Sequence, residues 1–230
     1  MIENVPRIVA LVPMRHESER VSGKNYRNFA NRPLYHHIVR SLLKSDRIAE
    51  VVIDTDSPLI MANARDHFPQ VRLIKRPEVL CGGEVPMNDI LIHDVALCEA
   101  DFFLQTHSTN PLMRPETIGR AVDAFLQAYP KWDSLFSVTR MQERLWDCEG
   151  RPVNHDPGEL LRTQDLDPVF MENSNLYIFT LESLRRRRNR IGARPLLFEI
   201  DREEAWDIDE ELDFQIAEFL CIHRKGDESS

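Results

Sequence analysis

Three cations, Arg15, Arg20 and Lys24, fall within ten residues near the start of the chain, and two carboxylates, Asp207 and Asp209, flank one apolar residue near its end. Cations in a polar loop can hold a polyphosphate and offset the charge that develops as part of it leaves. Two aspartates at i and i+2 of an extended backbone point to one face, which turns Ile208 to the core. Two hard oxygen ligands so placed suit Mg2+, which completes its shell with water and phosphate oxygens. Asp54 and Asp56 have the same spacing and form a rival pair. The chemistry indicated is of the phosphoryl-transfer type, in which positioning and charge stabilisation dominate.

These residues need elements to carry them. Ile8 to Val12 is an apolar run of strand length, and Pro13 stops the pattern because proline cannot donate to a ladder. A buried strand that opens into a cationic loop at its carboxyl end is where open α/β sheets bind ligands. The loop is not a Walker loop, which needs Gly-x4-Gly-Lys-[Ser/Thr]. Gly23-Lys24 is present, but the first glycine position is Ser18 and the last is Asn25. Side chains, not a glycine-rich backbone, would therefore hold phosphate.

Downstream, strand and helix patterns alternate. Pro33 opens a helix with Leu34, Ile38, Leu42 and Leu43 on one face. Val51 to Ile53 is a strand, and Ser57-Pro58 caps a helix that runs to about His67. Val71–Ile74, Asp101–Gln105, Ser134–Val138 and Leu196–Ile200 read as strands. Helices are expected over Ile90–Cys98, from Pro115 to about Tyr129, from near Leu181, and from Asp213. Such alternation predicts βαβ units and a mainly parallel sheet. The rhythm breaks from Leu145 to Pro168, a long polar segment of the kind that usually carries function. The run Arg185 to Arg190 reads as a solvated basic helix end.

Composition narrows the function classes. The 230 residues fit one domain, with 42% hydrophobic residues for its core. A net charge of −9 argues against nucleic acid but not against a nucleotide, which one basic pocket can hold. No apolar run approaches the length of a membrane span. The N-terminus has no secretion-signal pattern, and Cys81, Cys98, Cys148 and Cys221 show no CxxC pairing. A cytoplasmic, reduced chain is expected, ending in a polar tail from Lys225 to Ser230.

Five elements in order carry a family resemblance. They are Pro13-x-Arg15-x2-Ser18 with Gly23-Lys24-Asn25, then Arg76-Pro77-x2-Leu80, then Gln105 with Asn110-Pro111-Leu112, then Asn173-x3-Tyr177-Ile178, then Asp207-Ile208-Asp209. Together, from about Ile8 to Leu220, they resemble the CMP-sugar synthetases, the acylneuraminate cytidylyltransferases and their relatives. The resemblance implies a three-layer αβα, nucleotide-diphospho-sugar transferase-like (Rossmann-like) domain over residues 1–230. It implies an excursion at about 140–173 that forms a homodimer and reaches into the partner's active site. It implies CTP and a 3-deoxy-2-keto sugar acid as substrates, with Mg2+ on Asp207 and Asp209. Arg15, Ser18, Lys24 and Asn25 would bind the triphosphate and Arg76 the nucleotide. Asn88 would stand near the base and Gln105 would read the pyrimidine edge. Arg162, Gln164, Asn173 and Tyr177 would contact the sugar acid, and Arg15, Lys24 and Asp209 would serve catalysis. The chain departs from the pattern at Glu19, where the cation moves to Arg20, at Met87, where the family has a small hydroxyl residue, and in a longer turn over 106–110. His107, in that turn, is expected to be an exposed loop histidine. The rival readings are transfer from another nucleoside triphosphate such as GTP, transfer to another acceptor, and a non-catalytic nucleotide-binding protein.

Overall fold

A computed structural model describes residues 5–224; the polar tail from Lys225 to Ser230 lies outside them. In chain order the elements are β1 (Ile8–Met14), β2 (Asn28–Phe29), β3 (Arg32–Pro33), α1 (Tyr35–Lys44), β4 (Glu50–Thr55), α2 (Pro58–His67), β5 (Arg72–Lys75) and α3 (Met87–Ala96). They continue with β6 (Phe102–Thr106), α4 (Pro115–Ala128), β7 (Ser134–Met141), β8 (Val169–Phe179), α5 (Leu181–Arg187), β9 (Pro195–Glu199) and α6 (Glu211–His223). One sheet has the order β5-β4-β1-β6-β8-β7-β9. β8 pairs antiparallel with both its neighbours, and the other pairings in the sheet are parallel.

The central strand explains the layering. Every residue of β1 is buried, as expected of a parallel strand covered on both faces. Ile8, Ala10, Val12 and Met14 face a core shared with α1, α2 and α4 through Ile38, Leu42, Ile60, Ile118 and Phe125. Val9 and Leu11 face the opposite core, with Leu91 and Val95 of α3 and Leu184 of α5. The expected three-layer αβα domain is therefore present.

Pro13 does not end β1. β6 pairs with β1 only as far as Leu11↔Gln105, whereas β4 follows it to Met14↔Thr55. Past Leu11 the strand is an edge on one side, and an edge tolerates a proline. Pro33 does not open a helix either. It pairs with Asn28 across a two-residue turn, Ala30-Asn31, at φ 45° and 69°. Positive φ at both positions is what such a turn requires, and α1 starts two residues later.

The polar excursion is an insertion at the tip of the β7–β8 pair. Met141 and Val169 lie opposite one another, so residues 142–168 leave and return at adjacent points. Inside it Gln142 Nε2 donates to the carbonyls of Gln164 and Leu166 at 2.9 and 3.1 Å.

A third core holds α6 against the segments that follow β1 and β6. Ile208, Phe214 and Ala217 pack on Val21, Phe29, Leu34 and Leu112. Arg27 clamps Glu211 with two bonds of 2.6 and 2.7 Å and lies 4.1 Å over the Phe214 ring. These contacts bring the two ends of the chain together.

Candidate active site

The carboxyl ends of β1, β5 and β6 open onto one cavity of about 520 Å3. Chain order reverses between β1 and β6, and such switch points are where open α/β sheets bind ligands. Arg15, Ser18, Lys24, Asn25, Arg76, Asp207 and Asp209 all line it. The first four follow β1, Arg76 follows β5, and the aspartates precede α6. They come from widely separated parts of the chain.

Ile208 is fully buried, so the two aspartates share the opposite face as extended backbone requires. The Ile208 amide donates to the Thr109 carbonyl at 3.1 Å, and the Asp209 amide donates to Asp213 Oδ2 at 3.1 Å. Asn110 Nδ2 reaches Asp207 Oδ1 at 3.4 Å. Burial pushes the Asp207 carboxyl up, and Asp209 adds to this, while Thr109 and Lys24 pull it back. Lys24 Nζ donates to the Ile208 carbonyl at 2.6 Å, between the two carboxylates. Burial pulls its ammonium down, against Asp207 and Asp209. Arg20 donates to Asp209 Oδ1 at 2.5 Å, which gives that cation a partner the sequence left open. The carboxylate pair thus has positive charge drawn to it from two side chains. A hard dication with phosphate ligands fits the same oxygens.

Asn25 braces the loop. Its Nδ2 donates to the Arg15 carbonyl at 2.7 Å, and its Oδ1 accepts from Ser108 Oγ at 2.6 Å. Gly83 lies where a Cβ would come within 2.8 Å of Glu19 Oε1 and 3.5 Å of Arg15 Nη1. A side chain at 83 would require the Glu19 carboxylate to move aside, which shows how closely the 82–83 segment approaches the basic loop. The Gly82-Gly83 dipeptide was a turn signal in the sequence, unused there.

The rival acids do not form a second pair at the cavity. Asp54 Oδ1 accepts from Arg76 Nε at 2.7 Å, with both side chains buried. Asp56 Oδ1 accepts from the His16 amide at 2.7 Å.

Gln105 is placed differently from the sequence expectation. It is fully buried and does not line the cavity. The cause is Arg190, the last member of the basic run. Arg190 is not a solvated helix end: its guanidinium lies 3.5 Å over the Tyr177 ring, and its Nη1 donates to Gln105 Oε1 at 2.5 Å. Guanidinium can only donate, so the Gln105 oxygen must face it and the amide nitrogen must face away. That nitrogen donates to the Thr106 carbonyl and to His107 Nε2, each at 3.0 Å. His107 Nε2 is therefore an acceptor, and the ring proton sits on Nδ1. Burial, with Arg190 and Lys24 nearby, pushes His107 down to about 3, so it is neutral. His107 lines the cavity where Gln105 was expected. The longer turn over 106–110 was the signal that this position had changed.

The sugar-side residues are also placed apart from the cavity. Tyr177 is buried under Arg190, with its hydroxyl donating to Glu172 and accepting from Ser174 Oγ at 3.3 Å. Asn173 is buried in an irregularity of the β7–β8 ladder, where its Oδ1 accepts from Ser137 Oγ at 2.6 Å and its Nδ2 donates to Thr139 at 3.1 Å. It shapes the bulge that puts Ser174, at φ 58°, on the cavity wall. Asn88 Oδ1 accepts from the Arg190 amide at 3.1 Å, and its neighbour Met87 lines the cavity instead. Arg162 and Gln164 are exposed in the excursion, with Arg162 paired to Asp165 at 2.7 Å.

The profile of the family described as Cytidylyltransferase matches residues 9–225. The chain belongs to the cytidylyltransferase family. It is 27% identical over 218 residues to N-acylneuraminate cytidylyltransferase A of Danio rerio, covering 92% of this chain and 50% of that one. It is 25% identical over 226 residues to the CMP-N,N'-diacetyllegionaminic acid synthase of Legionella pneumophila, covering 93% and 96%. The chain thus spans about half the length of the fish relative and nearly all of the bacterial one. Its fold matches a CMP:2-keto-3-deoxy-manno-octonic acid synthetase complexed with CTP, at a TM-score of 0.67 and 15% identity over 94% of this chain and 98% of that one. It also matches the 4-diphosphocytidyl-2C-methyl-D-erythritol synthase of Anaerococcus prevotii, at 0.70 and 10% identity over 95% and 97%.

Proposed function

We propose that this cytidylyltransferase-family chain transfers CMP from CTP to a 3-deoxy-2-keto sugar acid and releases pyrophosphate. The observation that carries the reading is the single cavity in which Arg15, Lys24 and Arg76 face the Asp207–Asp209 pair. The names of the relatives, which include enzymes for acylneuraminic and legionaminic acids, support the acceptor class.

In this reading the anomeric hydroxyl attacks the α-phosphorus in line, and the bond to the β-phosphate oxygen breaks. Arg15 holds phosphate oxygens with its planar fork, while Lys24 supplies a point charge beside the reacting end. Both offset the charge that moves onto pyrophosphate. Ser18 and Arg76 add donors to the phosphates. Asn25 holds the Arg15 backbone in place. His107, a fixed neutral donor through Nδ1, offers a hydrogen bond to a ligand acceptor. Asp207 and Asp209 are the residues that would hold Mg2+, whose Lewis acidity lowers the pKa of a bound oxygen.

Pyrophosphate release measured with CTP and a panel of neuraminic, legionaminic, pseudaminic and octulosonic acids tests the reading. Turnover with one of them is expected. Methylerythritol phosphate as the sole acceptor would replace the acceptor class, and a melting shift by GTP but not CTP would replace the nucleotide. Binding of CTP without turnover on any acceptor would leave a nucleotide-binding protein.

The excursion is read as a homodimer interface. Trp146, Val153 and Leu160 expose 51%, 54% and 91% of their surface, and Phe170 and Met171 next to it expose 41% and 49%. Apolar groups gathered on one segment mark an interaction surface. Arg162 and Gln164 on that segment would then serve the partner's sugar site. Sedimentation at micromolar concentration should give a dimer, and a fully active monomer would refute the shared site. No helix among the described residues is long and apolar enough to cross a membrane. The net charge of −9 gives no support to nucleic acid as a ligand, and a cytoplasmic setting with reduced thiols accords with the cysteine pattern.

A further inference from the structure

Beside Arg76, behind the cavity wall, sit two buried acids, Asp54 and Asp94, that the reaction does not account for. Arg76 is 3% exposed, Asp54 1% and Asp94 of α3 0%. Arg76 Nε donates to Asp54 Oδ1 at 2.7 Å, and its Nη2 reaches the Asp54 carbonyl at 3.4 Å. Its Nη1 is buried and has no protein partner among the described residues. Asp54, Asp94 and His93 each bring one ligand-type atom to within 4.8 Å of the others. Oδ2 of Asp54 and Oδ2 of Asp94 both lack a donor. His93 Nδ1 lies 3.1 Å from Asp94 Oδ1.

Two buried carboxyls and one guanidinium leave an excess negative charge. Neighbouring carboxylates in a low dielectric do not both stay ionised. A buried acceptor without a donor is costly, and two adjacent ones are satisfied together by one hydrogen. A cation at this cluster is already supplied by Arg76, so the missing species is a proton, not a metal.

We propose that Asp94 is a positioning residue: it keeps one proton, donates it to the Asp54 carboxylate, and so fixes the Arg76 guanidinium, and its positive charge, against the cavity where the phosphates of the nucleotide would lie. This rests on the reading of the cavity as a CTP site. The relay runs from α3 through β4 to the residue after β5, and of its members only Arg76 borders the cavity. The groups facing Asp94 are Asp54 and Arg76 on the sheet side, His93 on its own helix and Cys98 beyond the helix end. Burial, with the Asp54 carboxylate beside it, pushes the Asp94 carboxyl up to about 9, against the pull of Arg76. The folded protein then holds this proton at neutral pH while the unfolded chain does not. The stabilisation is full below the ordinary carboxylate range and is lost as pH rises towards about 9.

The test compares wild type, Asp94→Asn and Asp94→Ala. Asn keeps a donor of the same shape but does not titrate; Ala removes the donor. CTP affinity is measured by calorimetry, and the melting temperature of the free protein is recorded, both from about pH 6 to about pH 9.5. Asp94→Asn is expected to bind CTP about as well as wild type at pH 7, and Asp94→Ala about tenfold more weakly. Wild type should lose about tenfold in CTP affinity towards the alkaline end, where Asp94→Asn stays flat. Its melting temperature should also fall relative to that of Asp94→Asn as pH rises. Superimposable wild-type and Asp94→Asn profiles would overturn the proposal, as would an Asp94→Asn variant as weak as Asp94→Ala. If Asp94→Ala does not fold, the other two proteins decide. If wild type binds no CTP, the nucleotide reading has failed, and the two melting profiles alone decide the proton: diverging curves support it, parallel curves refute it.

Discussion

Asp207→Asn and Asp209→Asn are each expected to lower kcat by about a hundredfold or more, as for loss of a key charge-stabilising group. The two substitutions probe different surroundings and should agree. Asp209 is half-exposed, and its 2.5 Å bond to Arg20 joins two solvated side chains. Such a pair contributes about 0–1 kcal/mol, so its loss should leave stability almost unchanged. Asp207 is mostly buried, and burial already opposes its charge. Asn at 207 keeps the shape, keeps an oxygen for Asn110 Nδ2, and removes a buried charge, so the fold should again hold. Loss of turnover with an unchanged melting temperature would therefore report on chemistry. The rates are to be measured across a Mg2+ titration. Near-normal turnover in both variants at limiting Mg2+ would remove the acid pair from the mechanism. The Asp54–Asp56 pair could not then take over unaided, because Asp54 is committed to Arg76 and Asp56 to the His16 amide.

The second large effect is expected at the two cations, under substitutions that keep charge. Lys24 is confined: its ammonium lies against the Ile208 carbonyl at 2.6 Å, between Asp207 and Asp209. Arginine there keeps +1 but spreads it over a planar head that does not reproduce the compact charge of the ammonium at the Ile208 carbonyl. Lys24→Arg should cost about a hundredfold in kcat. Arg15 is exposed on the cavity wall, and its value lies in gripping two oxygens at once. Arg15→Lys should raise KM for CTP about tenfold, consistent with about 1.5–3 kcal/mol for a hydrogen bond to a charged group. A merely solvated turn would show neither change, since surface substitutions rarely exceed about 0.5 kcal/mol. Steady-state kinetics on both variants decide, and unchanged kcat and KM in both would refute the phosphate assignment.

What the sequence determined by itself was whatever depends on neighbours along the chain. The apolar run of β1, the Ser57-Pro58 cap and the helical pattern after Pro115 are local, and all three appear in the structure. The capping bond from Ile60 to Ser57 Oγ, at 3.2 Å, closes within four residues. The alternation of Asp207, Ile208 and Asp209 is local too, because strand geometry alone sends i and i+2 to one face. Tertiary structure decided whatever depends on partners far away in the chain. Pro13 stays in its strand because β6 stops pairing at Leu11. Gln105 turns inward because Arg190, 85 residues later, supplies donors that only its oxygen can accept. Asn173 and Tyr177 serve the β7–β8 bulge and not the cavity surface, because β8 runs antiparallel beside β7 and closes around them. Asp94 carries no sequence signal beyond a polar residue on a helix; folding buries it against Asp54, and burial of a second carboxyl beside the first changes its protonation.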